Sequence, residues 1–123
     1  MSIDATKLKS LSILLVDDDE FILETMAHFL QRRAKHVATA ADGSKALELF
    51  HAESFDIIIS DIEMPEVNGY ELYEAVRKES SDIPFIFLSG HTAGDVQEGF
   101  EEQTLFKPID KDDLILKIIS LLN

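Results

Sequence analysis

The chain has 123 residues and no cysteine, and its 24 acidic against 11 basic residues give a formal net charge of −13. This length suits a single domain, and the absence of cysteine excludes a disulfide framework and a thiolate metal site. So negative a protein is a poor candidate for binding nucleic acid directly, because the phosphate backbone would repel it.

Residues 1–10 are polar, and we expect them to form a mobile lead-in to one domain that spans residues 11–123. The start of the chain lacks the basic segment and apolar core of a signal peptide. The apolar runs are too short to cross a membrane. Together with the absence of cysteine, these features fit a cytoplasmic protein.

Five short apolar runs predict β-strands, and amphipathic segments between them predict helices. The predicted strands cover residues 11–16, 36–40, 55–60, 84–89 and 105–106. The predicted helices cover residues 20–33, 44–52, 69–79 and 110–122, with a further short helix around 96–101. This alternation predicts an α/β fold with a parallel sheet and helices on both of its faces.

Two details of these helices are predicted from side-chain type. Ser44 is expected to cap the second helix. In the first helix, six side chains recur at helical spacing and are expected on one face: Phe21, Ile22, Thr25, Met26, Phe29 and Leu30. Phe21 or Leu23 would alternatively be exposed and dock a partner helix, and a core position for Phe21 is an equally simple interpretation.

The third predicted strand ends abruptly at a carboxylate. The apolar run Ile57–Ile59 is typical of a strand buried on both faces, and Asp61 follows it, with Pro65 and Gly69 turning the chain. Open α/β sheets bind ligands at the carboxyl ends of their strands. Asp61 therefore marks a candidate site, although an aspartate that only caps the next turn is equally consistent with this segment alone.

Four consecutive carboxylates, residues 17–20, follow the first predicted strand. The repulsion within a close pair of such charges is about 4 kcal/mol at an effective dielectric constant near 20. A helix N-terminus relieves it, which favours capping by Asp19 or Glu20. A divalent cation also relieves it, which favours metal binding by Asp17 and Asp18.

The ends of strands 1, 3, 4 and 5 are neighbours if the strand order is 2-1-3-4-5. Three carboxylates, a hydroxyl and an ammonium then converge: Asp17, Asp18, Asp61, Ser89 and Lys107. Such oxygen ligands suit Mg²⁺. The cation, Lys107 and Ser89 would hold the oxygens of a phosphoryl group during its transfer to Asp61. Taken singly, Lys107 would be a surface lysine, Ser89 a cap and His91 a solvated loop residue.

These motifs resemble those of the receiver domain of two-component response regulators, over nearly all of the chain beyond residue 10. They are Asp17-Asp18 after the first strand, Asp-x-x-Met-Pro-x-x-x-Gly at residues 61–69, Ser89-Gly90 after the fourth strand, and Lys107-Pro108. The resemblance implies a flavodoxin-like (βα)5 fold with strand order 2-1-3-4-5. It also implies a phosphoprotein of the cytoplasm that acts in signal transduction through a phosphorelay.

The resemblance assigns roles to individual residues. Asp61 would be the phosphoacceptor, and Mg²⁺ would be held by Asp17, Asp18, Asp61 and the backbone carbonyl of Glu63. Ser89 and Lys107 would contact the phosphoryl group, and Lys107–Pro108 would be a cis peptide. The donor would be a histidine kinase or a histidine phosphotransfer protein, and the output another protein or domain. Such a domain catalyses only its own phosphotransfer and dephosphorylation.

The chain departs from the family pattern in two places. The family usually carries an aromatic residue two or three positions before the lysine, which serves as a rotating switch, and Thr104 stands there. The segment between Ser89 and Lys107 is also shorter than usual by about one helical turn of ~3.6 residues. We therefore expect a short or irregular fourth helix. These departures concern the switch and not the phosphorylation chemistry.

The sequence leaves two rival functions open. A pseudo-receiver would share the fold and act as a phosphorylation-independent interaction module, but the full set of five site residues argues against it. A phosphatase with an aspartate nucleophile would need a second acid–base carboxylate, which Glu63 could supply, and a substrate-enclosing cap, for which a chain of 123 residues has no room.

Overall fold

The computed structural model describes residues 5–80, 82–90 and 96–122. Five parallel strands form one sheet in the order β2-β1-β3-β4-β5. The strands are β1 Ser12–Val16, β2 His36–Ala40, β3 Ile57–Asp61, β4 Phe85–Ser89 and β5 Thr104–Phe106. The helices are α1 Glu20–Gln31, α2 Gly43–Ala52, α3 Gly69–Arg77 and α4 Lys111–Leu122. The predicted flavodoxin-like fold and strand order are confirmed.

The sheet separates two hydrophobic clusters, which explains why its inner strands are apolar on both faces. In β1, Ile13 and Leu15 belong to the cluster that α1 and α4 cover. The alternate residues Leu14 and Val16 belong to the cluster that α2 and α3 cover. The polar residues that follow these strands therefore lie at the edge of the sheet, where the apolar layers end.

The strand register brings the predicted site residues to one edge. It aligns the last residues of neighbouring strands: Val16 with Ser60, Asp61 with Leu88, and Ser89 with Phe106. Asp17 and Lys107 are the next residues after β1 and β5. Because all five strands are parallel, these positions share the carboxyl edge of the sheet.

Each of the first three helices begins at a side-chain cap. The Asp19 carboxylate accepts hydrogen bonds from the amides of Phe21 and Ile22, as expected for one of the two capping candidates. Asn68 caps α3 in a reciprocal capping box with Glu71. The prediction that Ser44 caps the second helix is wrong. Asp42 has extended backbone and its carboxylate accepts from the amide of Lys45 at 2.7 Å, so the helix begins one residue before Ser44.

The predicted inner face of α1 is wrong at Thr25, and Phe21 does not belong to it. The buried stripe of this helix consists of Leu23, Met26, Ala27 and Leu30. Phe21 lies outside that stripe and is 76% exposed, and Thr25 is exposed as well. Of the two alternatives left open for Phe21, the structure therefore supports exposure, whereas Leu23 is part of the core.

The connection between β4 and β5 contains no α-helix over residues 96–103. A turn closed by the Phe100 amide and the Gln97 carbonyl, at 3.1 Å, leads into a 3₁₀ turn at Glu101–Gln103. Gly99 has a φ of 95°, which interrupts helical backbone, so the short helix predicted around residues 96–101 is absent. Residues 96–103 therefore agree with the expected short or irregular fourth helix. His91 lies outside the described residues.

The described part of the predicted lead-in contributes to the core. Ala5–Leu8 form a 3₁₀ turn, and Leu8 is fully buried in the cluster shared with α1 and α4. No helix in the described ranges has the length and apolar character needed to span a membrane.

A candidate site of three carboxylates and a lysine

Three carboxylates meet at the carboxyl edge of the sheet. Asp17 and Asp18 follow β1 and Asp61 ends β3, and one oxygen from each lies within 4.8 Å of the others. Asp17 is fully buried and Asp61 is 5% exposed, whereas Asp18 is open to solvent. The buried ends of β1 and β3 thus hold two negative charges in place, and Asp18 borders the open side of the site.

Lys107 brings the only cation that pairs with these carboxylates among the described residues. Its Nζ lies 3.1 Å from Asp17 Oδ2 and 3.4 Å from Asp61 Oδ2. The Lys107 amide donates to the Ser89 carbonyl at 2.7 Å, which ties the end of β5 to the end of β4. The Lys107–Pro108 peptide is cis, as the family resemblance implied.

The electrostatics of the site raise the pKa of Asp61 to about 6. Burial is the main cause, the negative charge of Asp17 adds to it, and Lys107 opposes it. Burial alone would lower the pKa of Lys107. Its close ion pairs with the Asp17 and Asp61 carboxylates outweigh that effect, so its pKa lies above the usual value. Lys107 is therefore a permanent cation that only partly offsets the paired carboxylates.

The donor set fits a divalent cation. Asp17 Oδ1 accepts a hydrogen bond from the Asp19 amide at 2.9 Å. Asp17 Oδ2 is buried and accepts no hydrogen bond from the described residues, although Lys107 Nζ is near. A buried, underbonded carboxylate oxygen beside two further carboxylates calls for added positive charge. Magnesium prefers hard oxygen ligands and keeps several waters, which the exposed side at Asp18 allows.

The loop between β3 and α3 folds back tightly onto the end of β3. The Gly69 amide donates to the Ile62 carbonyl at 2.8 Å. A Cβ at Gly69 would lie 2.4 Å from the Asp61 carbonyl oxygen and 2.9 Å from the Ile62 Cα, so only glycine fits. This close approach fixes the backbone of Asp61. It also places Glu63 on the wall of an open cleft that Asp18 borders.

Ser89 ends β4 at the same edge and is buried. Its backbone is positioned by the pairing with β5, because the Ser89 carbonyl accepts from Lys107 and its Cα partner is Phe106. The structure thus brings Asp17, Asp18, Asp61 and Lys107 close together, and strand and loop position place Ser89 and Glu63 beside them.

One feature beside the site was not predicted. Five aromatic rings from α3, β4 and the β4–β5 connection form a cluster with ring centres 5.1–5.8 Å apart: Tyr70, Tyr73, Phe85, Phe87 and Phe100. The Tyr70 hydroxyl also accepts from the Gln97 amide at 3.0 Å. The spacing of Tyr70 and Tyr73 on one helix face and of Phe85 and Phe87 on one strand face was a signal for it.

Comparison with known proteins agrees with this geometry. Residues 13–119 match the family described as the response regulator receiver domain. The response regulator SaeR of Staphylococcus aureus is 31% identical, over 89% of this chain and 50% of SaeR. This chain therefore spans about half the length of the curated relatives it matches.

Solved structures of similar size align over nearly their whole length. The chemotaxis protein CheY4 of Vibrio cholerae is 32% identical with a TM-score of 0.82, covering 92% of this chain and 99% of CheY4. The response regulator TrrA of Thermotoga maritima, in complex with Mg²⁺ and BeF, is 31% identical with a TM-score of 0.80, covering 91% and 99%. The family match covers most of the chain, and the fold and the acidic edge agree with it: this chain belongs to the receiver domains of two-component response regulators.

Proposed function

We propose that this receiver domain accepts a phosphoryl group on Asp61 from the phosphohistidine of a histidine kinase or a histidine phosphotransfer protein, and that it uses Mg²⁺ to do so. The observation that carries the proposal is the placement of the buried Asp61 carboxylate between two further carboxylates and the Lys107 ammonium. The domain then works as a signalling element that catalyses only its own phosphorylation and dephosphorylation.

Asp61 is the nucleophile of the proposed reaction. A carboxylate oxygen of Asp61 forms a bond to phosphorus while the N–P bond of the phosphohistidine breaks, and the electron pair of that bond returns to the imidazole nitrogen. A pKa of about 6 leaves Asp61 mostly ionised at pH 7, so no general base is needed. Burial keeps this carboxylate from being fully hydrated.

The surrounding residues stabilise the charge that moves onto the phosphoryl oxygens. The Lys107 ammonium, which pairs with Asp17 and Asp61, would donate a hydrogen bond to a phosphoryl oxygen. The Ser89 hydroxyl would contact another. Asp17, Asp18, Asp61 and the Glu63 carbonyl would hold Mg²⁺, which neutralises charge on the phosphoryl oxygens when bound. The TrrA structure, a complex with Mg²⁺ and BeF, supports this assignment by similarity.

Phosphorylation would change the ends of β4 and β5. The modification adds about 1.5 to 2 negative charges at Asp61. Lys107 and Ser89 are then drawn toward the new group. Because the Lys107 amide is bonded to the Ser89 carbonyl, the two strand ends move together. The segment after β4 and the face of α4 are the parts of the fold that this change reaches first.

Exposed apolar residues beside the site suit the docking of the phosphoryl donor. Phe21 is 76% exposed at the start of α1. With Ile22, Pro108 and Ile109 it lines a mainly apolar groove next to Lys107. A helix that carries the donor histidine would bury this groove while presenting its phosphoryl group to Asp61.

The test uses beryllofluoride as a mimic of the phosphoryl group and records amide spectra of the Mg²⁺-bound protein. We expect large changes at Ser89, Lys107 and their neighbours, and none in Asp61→Asn, which has lost the acceptor carboxylate. Unchanged wild-type spectra with Mg²⁺ binding intact would contradict the proposal. That result would favour a pseudo-receiver, an interaction module that works without phosphorylation.

A further inference from the structure

A groove on the outer side of α1 carries cations that the proposed phosphoryl chemistry does not use. We call it the basic groove, and its characteristic residues are His28, Phe29, Arg32, Arg33 and Lys111. It gathers three of the 11 lysines and arginines of a chain whose net charge is −13. Such a local excess of positive charge on so acidic a protein points to an interaction with something negative.

The Phe29 ring holds two of these cations close together. The Arg33 guanidinium carbon lies 3.9 Å from the ring centre, and the Arg33 Nη1 donates to the Phe29 carbonyl at 2.8 Å. Lys111 comes from a different helix, and its Nζ lies 5.3 Å from the same ring centre. The ring attracts both cations. Their mutual repulsion remains, and an anion bound beside them would relieve it.

Within the described part of the chain, no carboxylate pairs with these cations. None of the ion pairs among the described residues involves Arg32, Arg33 or Lys111. Glu24 lies on the wall of the same groove but pairs with none of them. The cations are therefore available to an external ligand.

The helix dipole explains only part of the cluster. Arg32 and Arg33 follow the C-terminus of α1, where positive charge is favourable in any case. Lys111, in contrast, opens α4 at the end of a helix where a cation is unfavourable. It also lies between Asp110 and Asp112 in sequence, yet its ammonium approaches the Phe29 ring instead. Its position calls for a reason beyond helix stability.

We propose that the basic groove binds a carboxylate-rich segment of a partner protein. The planar guanidinium groups match carboxylates in a two-pronged hydrogen-bonding geometry, and Lys111 adds a compact charge beside them. The rest of this acidic surface repels such a segment, so the groove would both select it and fix its orientation. A nucleic acid fits less well, because its long phosphate backbone would extend onto negative surface around a small cluster of cations.

The experiment is a titration of the ¹⁵N-labelled full chain with a terminally blocked hexaglutamate peptide, followed by amide spectra. We expect saturable shifts at the end of α1 and the start of α4 that weaken steeply as salt is added. Arg32→Gln/Arg33→Gln/Lys111→Gln should bind the peptide about tenfold more weakly. Lys45→Gln/Lys78→Gln removes two exposed lysines outside the groove and should bind it as the wild type does. Spectra of both variants away from the changed residues report that the fold is intact.

Three outcomes would overturn the proposal. Shifts spread over every lysine-bearing surface, or equal losses in both variants, would indicate nonspecific charge attraction. Inorganic phosphate or oligothymidylate that shifted the same amides at lower concentration than the peptide would indicate a general anion site. The groove does not include Asp61, so Asp61→Asn should bind hexaglutamate normally. Peptide binding by the basic groove and phosphorylation of Asp61 are therefore tested independently, and either can be absent while the other is present.

Discussion

At the scale of single residues, the Asp61 carboxylate is held in an ionised state that opposes folding. Burial and the charge of Asp17 raise the pKa of Asp61 to about 6, although Lys107 opposes the shift. The ionised form is therefore less stable in the folded protein than in the unfolded chain, where the pKa is near 3.8. A cation that binds beside Asp61 would offset this penalty and so stabilise the folded protein.

Asp61→Asn should stabilise the protein at neutral pH without metal. The folded pKa lies above the unfolded one, so the folded state binds the proton more tightly. The penalty of the ionised group is present above pH 6 and disappears as the pH falls from about 6 to about 4. Since one pKa unit corresponds to about 1.4 kcal/mol, the free energy of unfolding should rise by about 2–3 kcal/mol at pH 7.5 and change little at pH 4. Urea unfolding at both values measures it.

Glu74→Gln is the matched control for this comparison, because Glu74 is an exposed carboxylate in the middle of α3. It should leave the free energy of unfolding within about 0.5 kcal/mol of the wild type at both pH values. Saturating Mg²⁺ should remove most of the advantage of Asp61→Asn. If Asp61→Asn were less stable than the wild type at pH 7.5, the charge of Asp61 would not destabilise the folded protein.

At the scale of elements, the loop between β3 and α3 links packing to chemistry. Gly69, the first residue of α3, approaches the Asp61 carbonyl so closely that no side chain fits. The Gly69 amide donates a hydrogen bond to the Ile62 carbonyl, and Asn68 caps α3. The same loop contains Glu66 with a φ of 65°, a left-handed conformation that side chains disfavour. These contacts hold the loop and the backbone of Asp61 in place.

Gly69→Ala should therefore disturb both stability and the site. The added methyl group would lie 2.4 Å from a backbone oxygen, so the end of β3 must shift. We expect a loss of about 1–3 kcal/mol in the free energy of unfolding, as for other overpacked sites, and weaker Mg²⁺ binding because Asp61 moves with the loop. Calorimetric titration with Mg²⁺ and urea unfolding measure the two effects.

Gly90→Ala provides the control for that substitution, since nothing lies within 4 Å of a Cβ at Gly90. It adds the same methyl group after β4, also next to the site, and should change neither quantity noticeably. If Gly69→Ala matched Gly90→Ala in both measurements, the close approach to Asp61 would affect neither stability nor Mg²⁺ binding.

The element that departs most from the family pattern lies between β4 and β5. Thr104, where receivers usually carry an aromatic residue, is buried and its hydroxyl donates to the Phe100 carbonyl at 2.7 Å. Phe100 in turn joins the rings of Tyr70 and Phe87. The ring that joins the aromatic cluster therefore comes from Phe100, before β5, whereas Phe106 within β5 is 39% exposed. The Phe100 ring ties the β4–β5 connection to α3.

At the scale of the whole molecule, the sequence predicted the sheet order and the meeting of Asp17, Asp18, Asp61 and Lys107. Buried strands that end in polar residues are a local signal and predicted the strands and their polar ends, whereas the strand order that brings these side chains together was implied by the family resemblance. The sequence left the exposure of Phe21 open and missed the cap at Asp42, because helical periodicity does not fix where the first turn begins. The basic groove was missed because Lys111 and Phe29 are distant in the chain and meet only through the packing of α4 against α1.

The most direct test of the account is the intact mass of the protein after incubation with a small phosphodonor such as acetyl phosphate, with and without Mg²⁺. We predict a gain of a single phosphoryl group that requires Mg²⁺ and is absent in Asp61→Asn. Glu74→Gln should gain it as the wild type does. Phosphorylation that persisted in Asp61→Asn, or no gain at all in a wild-type protein that binds Mg²⁺, would contradict the assignment of Asp61 as the phosphoacceptor.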